Sequence, residues 1–247
     1  MSSLVTFSYV LPVHNQEATL EASIRRLTAR LAQHPGSEII LVENGSGDRS
    51  PEICAEAARR GASGVDVRAT TSPTGMGHAL RHGMALARGD VVVLTAADLP
   101  FGFSDLAAFL QQRPLPEIAI GSKAHPQSEV QVAPSRRLMS NGFRWVRQFL
   151  LALPAGDTQG TLLLSRRLTR ALLPHLECDG FLISTEIVAW AARLGFDAAE
   201  LPVVYPRSLG STVSPVRDSL RMLAGTFALR RRLPRRRPVR SQLKTPV

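Results

Sequence analysis

Gly89-Asp90-Val91-Val92-Val93-Leu94-Thr95-Ala96-Ala97-Asp98-Leu99-Pro100 is the most informative stretch of this chain. A glycine and an aspartate open it, four apolar residues follow without a polar interruption, and a carboxylate closes it just before a proline. An unbroken apolar run of strand length fits a strand buried on both faces, as in parallel sheets. Ligands of such sheets sit at the carboxyl ends of the strands, which is where Asp98 falls. Working outward, similar runs occur at Val5 to Leu11, Ile39 to Val42 and Ile118 to Ile120. Between them, Leu20, Ile24, Leu27 and Leu31, and then Ala79, Gly83 and Leu86, recur at helical spacing. The β-α-β-α alternation predicts an α/β fold: a mainly parallel sheet with helices on both faces.

Beyond about residue 122 the rhythm changes. Ser135 to Leu153 reads as one helix and Thr161 to Leu164 as a short strand. Thr185 to Leu194 reads as a helix leading through Gly195 to a strand from Ala198 to Val204. No internal repeat is visible. The 247 residues suffice for one enlarged domain. No stretch approaches the roughly 18 apolar residues of a spanning helix, and the N-terminus lacks the basic and apolar regions of a leader. Cys54 and Cys178 have no metal-ligand spacing and read as free thiols of a reducing compartment.

The net charge of +10 is concentrated at one end. Residues 228–247 hold seven arginines, one lysine and no acid, so the first 227 residues carry 22 basic against 20 acidic groups, or +2. A nearly neutral body without aromatic interleaving of its cations argues against nucleic acid as a partner. From Pro215 to Arg232, Val216, Leu220, Leu223 and Phe227 form an apolar stripe beside Arg217, Arg221 and Arg231, an amphipathic basic helix. Such a helix with a polybasic tail suits an anionic membrane surface; a solvated end with no partner fits the same composition.

No Walker loop and no G-x-G-x-x-G opens the first helix, which sets aside the usual P-loop and dinucleotide readings. Instead the first strand ends in Pro12-Val13-His14-Asn15-Gln16-Glu17 and the second in Val42-Glu43-Asn44-Gly45-Ser46-Gly47-Asp48. Each turn puts polar side chains where a nucleoside could be read, and each taken alone is also a turn with a helix N-cap. Gly75-Met76-Gly77-His78-Ala79 then opens a helix, ahead of the strand that ends at Asp98.

In this order and spacing the four segments resemble the inverting family 2 glycosyltransferases of GT-A fold, and among them the polyprenyl (dolichyl) phosphate mannose and glucose synthases. Gly121-Ser122-Lys123, Arg136-Arg137-Leu138-Met139-Ser140, Asp157-Thr158-Gln159-Gly160, Glu186, Glu200-Leu201-Pro202-Val203 and Gly210-Ser211 extend the resemblance over about residues 5 to 227. Three departures stand out. The acidic pair of the second turn is Glu43-Asn44, the family's N-E is Asn15-Gln16 followed by Glu17, and the first aspartate of D-x-D is Ala96.

The resemblance implies transfer of a hexose from a nucleotide diphosphate sugar to a polyprenyl phosphate with inversion, at the cytoplasmic surface of a membrane. Donor binding would fall to Pro12, His14, Glu17, Glu43 or Asn44, Gly77 and Asp98, with His14 stacking on the base. Asp98 would hold magnesium or manganese, since one or two carboxylates suffice when phosphate and water complete the shell. Lys123 and Arg136 with the Ser140 hydroxyl would clamp the acceptor phosphate. Were the acceptor a soluble sugar or natural-product hydroxyl, a general base would be needed, and Asp157 is the candidate. Ala96 and Gln16 leave open a non-catalytic nucleotide-sugar-binding or scaffold protein. The expected organisation is a catalytic domain over 1–212, the amphipathic helix over 213–232 and a disordered basic tail over 233–247.

Overall fold

The computed structural model describes residues 5–62, 64–131, 151, 153, 156–206 and 225–234. Its centre is a seven-stranded sheet in the order β3-β2-β1-β4-β7-β5-β8. The strands are β1 (Phe7–Val13), β2 (Glu38–Glu43), β3 (Asp66–Thr71), β4 (Val91–Leu94), β5 (Ile118–Gly121), β7 (Leu162–Ser165) and β8 (Ala199–Leu201). All neighbours pair in parallel except β7, which runs antiparallel between β4 and β5. Two short strands, β6 (Glu129–Val130) and β9 (Val204–Tyr205), pair in parallel beside it.

Alternation along β1 and β2 divides the core between the two faces of the sheet. Phe7, Tyr9, Leu11, Val13, Ile39 and Leu41 pack with Leu20, Ile24, Leu27 and Leu31 of α1 (Leu20–Leu31), and with Cys54 of α2 (Ser50–Arg60) and Leu106 and Phe109 of α4 (Ser104–Leu110). Val10, Ile40 and Val42 pack on the other face against Leu80 and Met84 of α3 (Met76–Leu86). Leu168 and Leu172 of α5 (Arg166–Leu172) and Ile183 and Ile187 of α6 (Ile183–Arg193) complete that layer. The expected α/β architecture with helices on both faces is what the chain adopts.

The reversed direction of β7 matters for the site. The residues that precede it, Asp157 to Gly160, lie at the same sheet edge as the residues that follow β4 and β5. A Cβ on Gly160 would sit 1.7 Å from the carbonyl oxygen of Gly121, so only glycine lets the two segments meet.

The expected helix over Ser135–Leu153 and the Gly210-Ser211 turn lie outside the described residues, apart from buried Leu151 and Leu153. Of the expected basic helix, residues 225–232 are helical and form α7. Its phase differs from the expected stripe. Thr226, Leu229 and Leu233 are buried, the two leucines within the α3–α6 core, whereas Phe227 is 49% exposed. The described end of this segment therefore packs against the α3–α6 core. No helix among the described residues is long and apolar enough to cross a membrane.

Candidate active site

The carboxyl edge of the sheet gathers three loops around Phe101 and Tyr205. Asp98 follows β4 and is exposed. Leu99 after it takes φ 50°, a left-handed conformation costing a leucine about 1–3 kcal/mol, and closes a turn through its N–H to the Ala96 carbonyl at 3.0 Å. Asp98 forms no ion pair with a described residue, and desolvation by the surrounding loop raises its pKa above the ordinary aspartate value. It borders a cleft of about 370 Å³ lined also by Arg26, Phe101 and Tyr205.

Lys123, just past β5, lies in the middle of the cluster. Its Nζ is 3.3 Å from Oδ2 of Asp157 and packs over the rings of Phe101 and Tyr205, 5.6 and 5.7 Å from their centroids. Asp157 is also held by its backbone neighbourhood: Oδ2 accepts from the Lys123 N–H and Oδ1 from the Gln159 N–H at 2.9 Å. Behind the pair stands Glu200. Its carboxylate accepts from the Ser122 hydroxyl at 2.5 Å and from the Gly156 N–H at 2.7 Å. Those are the residues immediately before Lys123 and Asp157, so one carboxylate sets both halves of the ion pair. Beneath the loops, the hydroxyls of Thr95 and Thr161 lie 3.0 Å apart. Thr161 also supports the Asp105 carboxyl, whose burial raises its pKa.

On the donor side three of the expected residues make contacts within the protein. Asn44 is buried and its side chain is already committed: Nδ2 donates to the Val13 carbonyl at 2.9 Å and Oδ1 accepts from the Gly75 N–H at 3.3 Å. It braces the two turns. Gly77 allows a close backbone approach. A Cβ there would lie 1.9 Å from the Cys178 carbonyl oxygen, and its N–H donates to the Asp179 carbonyl at 2.7 Å. Glu17 caps α2, accepting from the Arg49 N–H at 3.1 Å, while Asp48 accepts from the Glu17 N–H.

Glu43 accepts from the Ser46 N–H within its own turn. Pro12 lies near the end of β1, opposite Val42. His14 is exposed, with Nδ1 3.2 Å from the Asn44 carbonyl oxygen and Nε2 3.4 Å from Nδ2 of Asn15. Arg136 and Ser140 lie outside the described residues.

Among the described residues no group of three potential metal-ligating side chains gathers. A single unpaired carboxylate nevertheless fits a magnesium- or manganese-type ion whose remaining ligands are phosphate and water, and Asp98 is such a group. Sequence reasoning missed the aromatic pair around Lys123. It singled out Glu200 only as part of a motif, without the contacts that give it a role.

A mixed, mostly parallel sheet with one reversed strand and loops gathered at its carboxyl edge is the architecture of the GT-A fold. The family model "Glycosyl transferase family 2" matches residues 8–167, and the chain belongs to that family. It is 28% identical over 246 residues to a dolichyl-phosphate beta-glucosyltransferase of Drosophila melanogaster, covering 92% of this chain and 75% of that one. It is 30% identical over 226 residues to glycosyltransferase AglD of Haloferax volcanii, covering 88% of this chain and 36% of that protein. Among solved structures, glucosyl-3-phosphoglycerate synthase from Mycobacterium tuberculosis with Mn2+, UDP-glucose and phosphoglyceric acid superimposes with a TM-score of 0.67 at 20% identity. That match covers 93% of this chain and 81% of that one and shows the shared fold. The chain is a glycosyltransferase, which sets aside the non-catalytic alternative.

Proposed function

We propose that this enzyme transfers a hexose from a nucleoside diphosphate sugar to a polyprenyl phosphate with inversion, at an anionic membrane surface. The observation that carries the reading is the Lys123–Asp157 pair. A hydroxyl acceptor needs a general base, and Asp157, the candidate, is spent on holding Lys123 and on two backbone N–H groups. A phosphate acceptor is largely ionised near neutrality, given a second pKa of about 6, and needs a cation. Lys123 is that cation, oriented by its carboxylate and by two ring faces. The name dolichyl-phosphate beta-glucosyltransferase, carried by the Drosophila melanogaster relative and by those of Saccharomyces cerevisiae and Homo sapiens, agrees with a lipid phosphate acceptor.

In this reading the acceptor oxygen approaches the anomeric carbon from the Lys123 side, and the diphosphate leaves from the opposite face. Arg136 and Ser140 join Lys123 on the acceptor phosphate. His14 stacks on the base, Glu43 and Pro12 border it, and Asp98 would hold magnesium or manganese. A divalent ion, when bound, offsets charge on the leaving diphosphate.

The test is a mass-spectrometric screen of nucleotide sugars against a short polyprenyl phosphate and, separately, against soluble sugars and phosphoglycerate. Glycosylated polyprenyl phosphate is the expected product; transfer confined to a soluble acceptor refutes the reading. With the productive pair, Lys123→Ala should raise the acceptor KM by about 10- to 150-fold, the loss of a charged hydrogen bond of about 1.5–3 kcal/mol, and leave the donor KM nearly unchanged.

A further inference from the structure

Arg232 belongs to the run of C-terminal arginines, yet its guanidinium turns into the protein. Nη2 donates to Oε1 of Glu186 at 2.6 Å and approaches Sγ of Cys178 at 3.5 Å, while Nη1 is 2.7 Å from Oε2 of Glu177. Glu186 has no exposed surface. Its other oxygen accepts the backbone N–H groups of Glu177 and Cys178 at 3.1 and 2.8 Å. One arginine from α7 and one buried carboxylate from α6 thus fix the backbone and side chains at 177 and 178.

That loop bears directly on the N-terminal turn of α3. The Asp179 carbonyl accepts from Gly77 N–H, and a Cβ on Gly75 would lie 2.5 Å from the same oxygen. The Asp179 carboxylate meets Arg81 at 2.8 Å and His78 at 3.2 Å, so three side chains and two glycines key the loop to α3. Gly75 N–H in turn donates to Asn44, which holds the Val13 carbonyl and, through its own carbonyl, the His14 ring. The contacts are continuous from the C-terminal helix to the turns that would receive the nucleoside.

We propose that Arg232 is a positioning residue for the nucleotide donor. By holding residues 177–179 against α3 it fixes the separation between the α3 N-terminus and the ends of β1 and β2. It touches no substrate itself. The inference rests on the reading that the donor binds at this edge, and the experiment separates the two.

Removing Arg232 alone would strand a buried carboxylate, which destabilises whatever its role. The informative variant is therefore Arg232→Met with Glu186→Gln, in which the glutamine oxygen still accepts from Glu177 and Cys178 and no buried unpaired charge remains, since Glu177 is exposed. Glu177→Gln, at the 70% exposed end of the network, removes one contact only. Thermal unfolding, affinity for UDP and GDP by calorimetry, and KM for both substrates are measured. The double variant should melt cooperatively near wild type, bind its preferred nucleotide at least fivefold more weakly and raise the donor KM to match, with the acceptor KM within twofold. Glu177→Gln should shift nucleotide affinity in the same direction by less.

Nucleotide affinity within twofold of wild type overturns the proposal, as do equal shifts in both KM values. A double variant that no longer melts cooperatively assigns the pair to folding and overturns it too. If wild type binds neither nucleotide, the donor reading itself fails.

Discussion

Replacing Glu200 should separate the ion pair at the acceptor side from the fold that carries it. The Glu200 carboxylate accepts from Ser122 at 2.5 Å and Gly156 at 2.7 Å. Hydrogen bonds to a charged group contribute about 1.5–3 kcal/mol each, so Glu200→Ala removes about 3–6 kcal/mol, reduced toward about 2–4 because the site is partly open to water. Glu200→Gln is gentler. Its oxygen can still face the Gly156 N–H, and its amide can donate to Ser122 Oγ, turning two charged contacts into neutral ones at a cost of about 1–3 kcal/mol. The functional effect should exceed what stability explains, because Ser122 and Gly156 immediately precede Lys123 and Asp157. For Glu200→Gln the acceptor KM should rise about tenfold or more while the donor KM stays within about twofold. Urea unfolding gives the first quantity, and steady-state kinetics with each substrate varied gives the second. A Glu200→Gln enzyme with a wild-type acceptor KM refutes the claim that this carboxylate sets the Lys123–Asp157 geometry.

Asp98→Ala should lower turnover more than about tenfold with the circular dichroism spectrum unchanged, since Asp98 is the one carboxylate kept from D-x-D. Desolvation raises the Asp98 pKa, so activity that needs its carboxylate should fall on acidification at a higher pH than an ordinary aspartate would give. By the same sign, ionising it costs stability as pH rises through the raised pKa, and Asp98→Asn should be neutral or slightly stabilising near pH 7 in thermal melts. At the opposite sheet edge, burial works against ionisation of Glu38, but hydrogen bonds from Ser8 and Arg88 and the charge of Arg68 outweigh it and hold the pKa low. Its contribution is therefore present above the ordinary glutamate pKa and lost as pH falls through the depressed one. Glu38→Gln should cost about 2–3 kcal/mol in urea unfolding at pH 7, less than a fully buried pair because both arginines are partly exposed, with kcat unchanged. Deleting residues 235–247 removes five basic groups, each worth up to about 1 kcal/mol near an anionic leaflet. Co-sedimentation with anionic vesicles should drop at least tenfold at low salt and little at high salt, with donor hydrolysis in solution retained.

The strands legible in the sequence are those buried on both faces. β4 falls on Val91–Leu94, and β1, β2 and β5 lie within two residues of their apolar runs. β3 escaped because it is an edge strand: in Asp66–Thr71 only Val67 is buried, so no continuous run marks it. α2 was equally quiet, burying only Ser50 and Cys54 of its eleven residues. The run at Thr161–Leu164 announced β7 but not its direction, and direction is what brings Asp157 to the edge occupied by Asp98 and Lys123. Within the site, residue types were legible and their commitments were not. Lys123 and Asp157 are 34 positions apart, and Ser122 and Glu200 are 78 apart. Asn44 and Gly77 were legible as turn and helix-start residues, and the tertiary contacts that each also makes were not.

The C-terminal arginines show why composition alone misreads a basic segment. Counted together they are one block of charge, but neighbours on a helix are turned about 100° from each other, so a block of three faces different surroundings. Arg230 and Arg231 are exposed, whereas Arg232 follows the buried face of Thr226, Leu229 and Leu233 toward Glu186. The burial of Leu233 also sets where the tail can be cut: a deletion starting there would remove a core residue, and one starting at 235 keeps it. Phe227, 49% exposed on α7, and Phe181, 59% exposed beside the loop that Arg232 holds, lie on segments that meet where Gly225 faces Leu182. Under the proposed function, a helix with its outer arginines at a lipid surface and its inner arginine on the donor-side loop would hold the lipid-borne acceptor and the nucleotide cleft in a fixed relation.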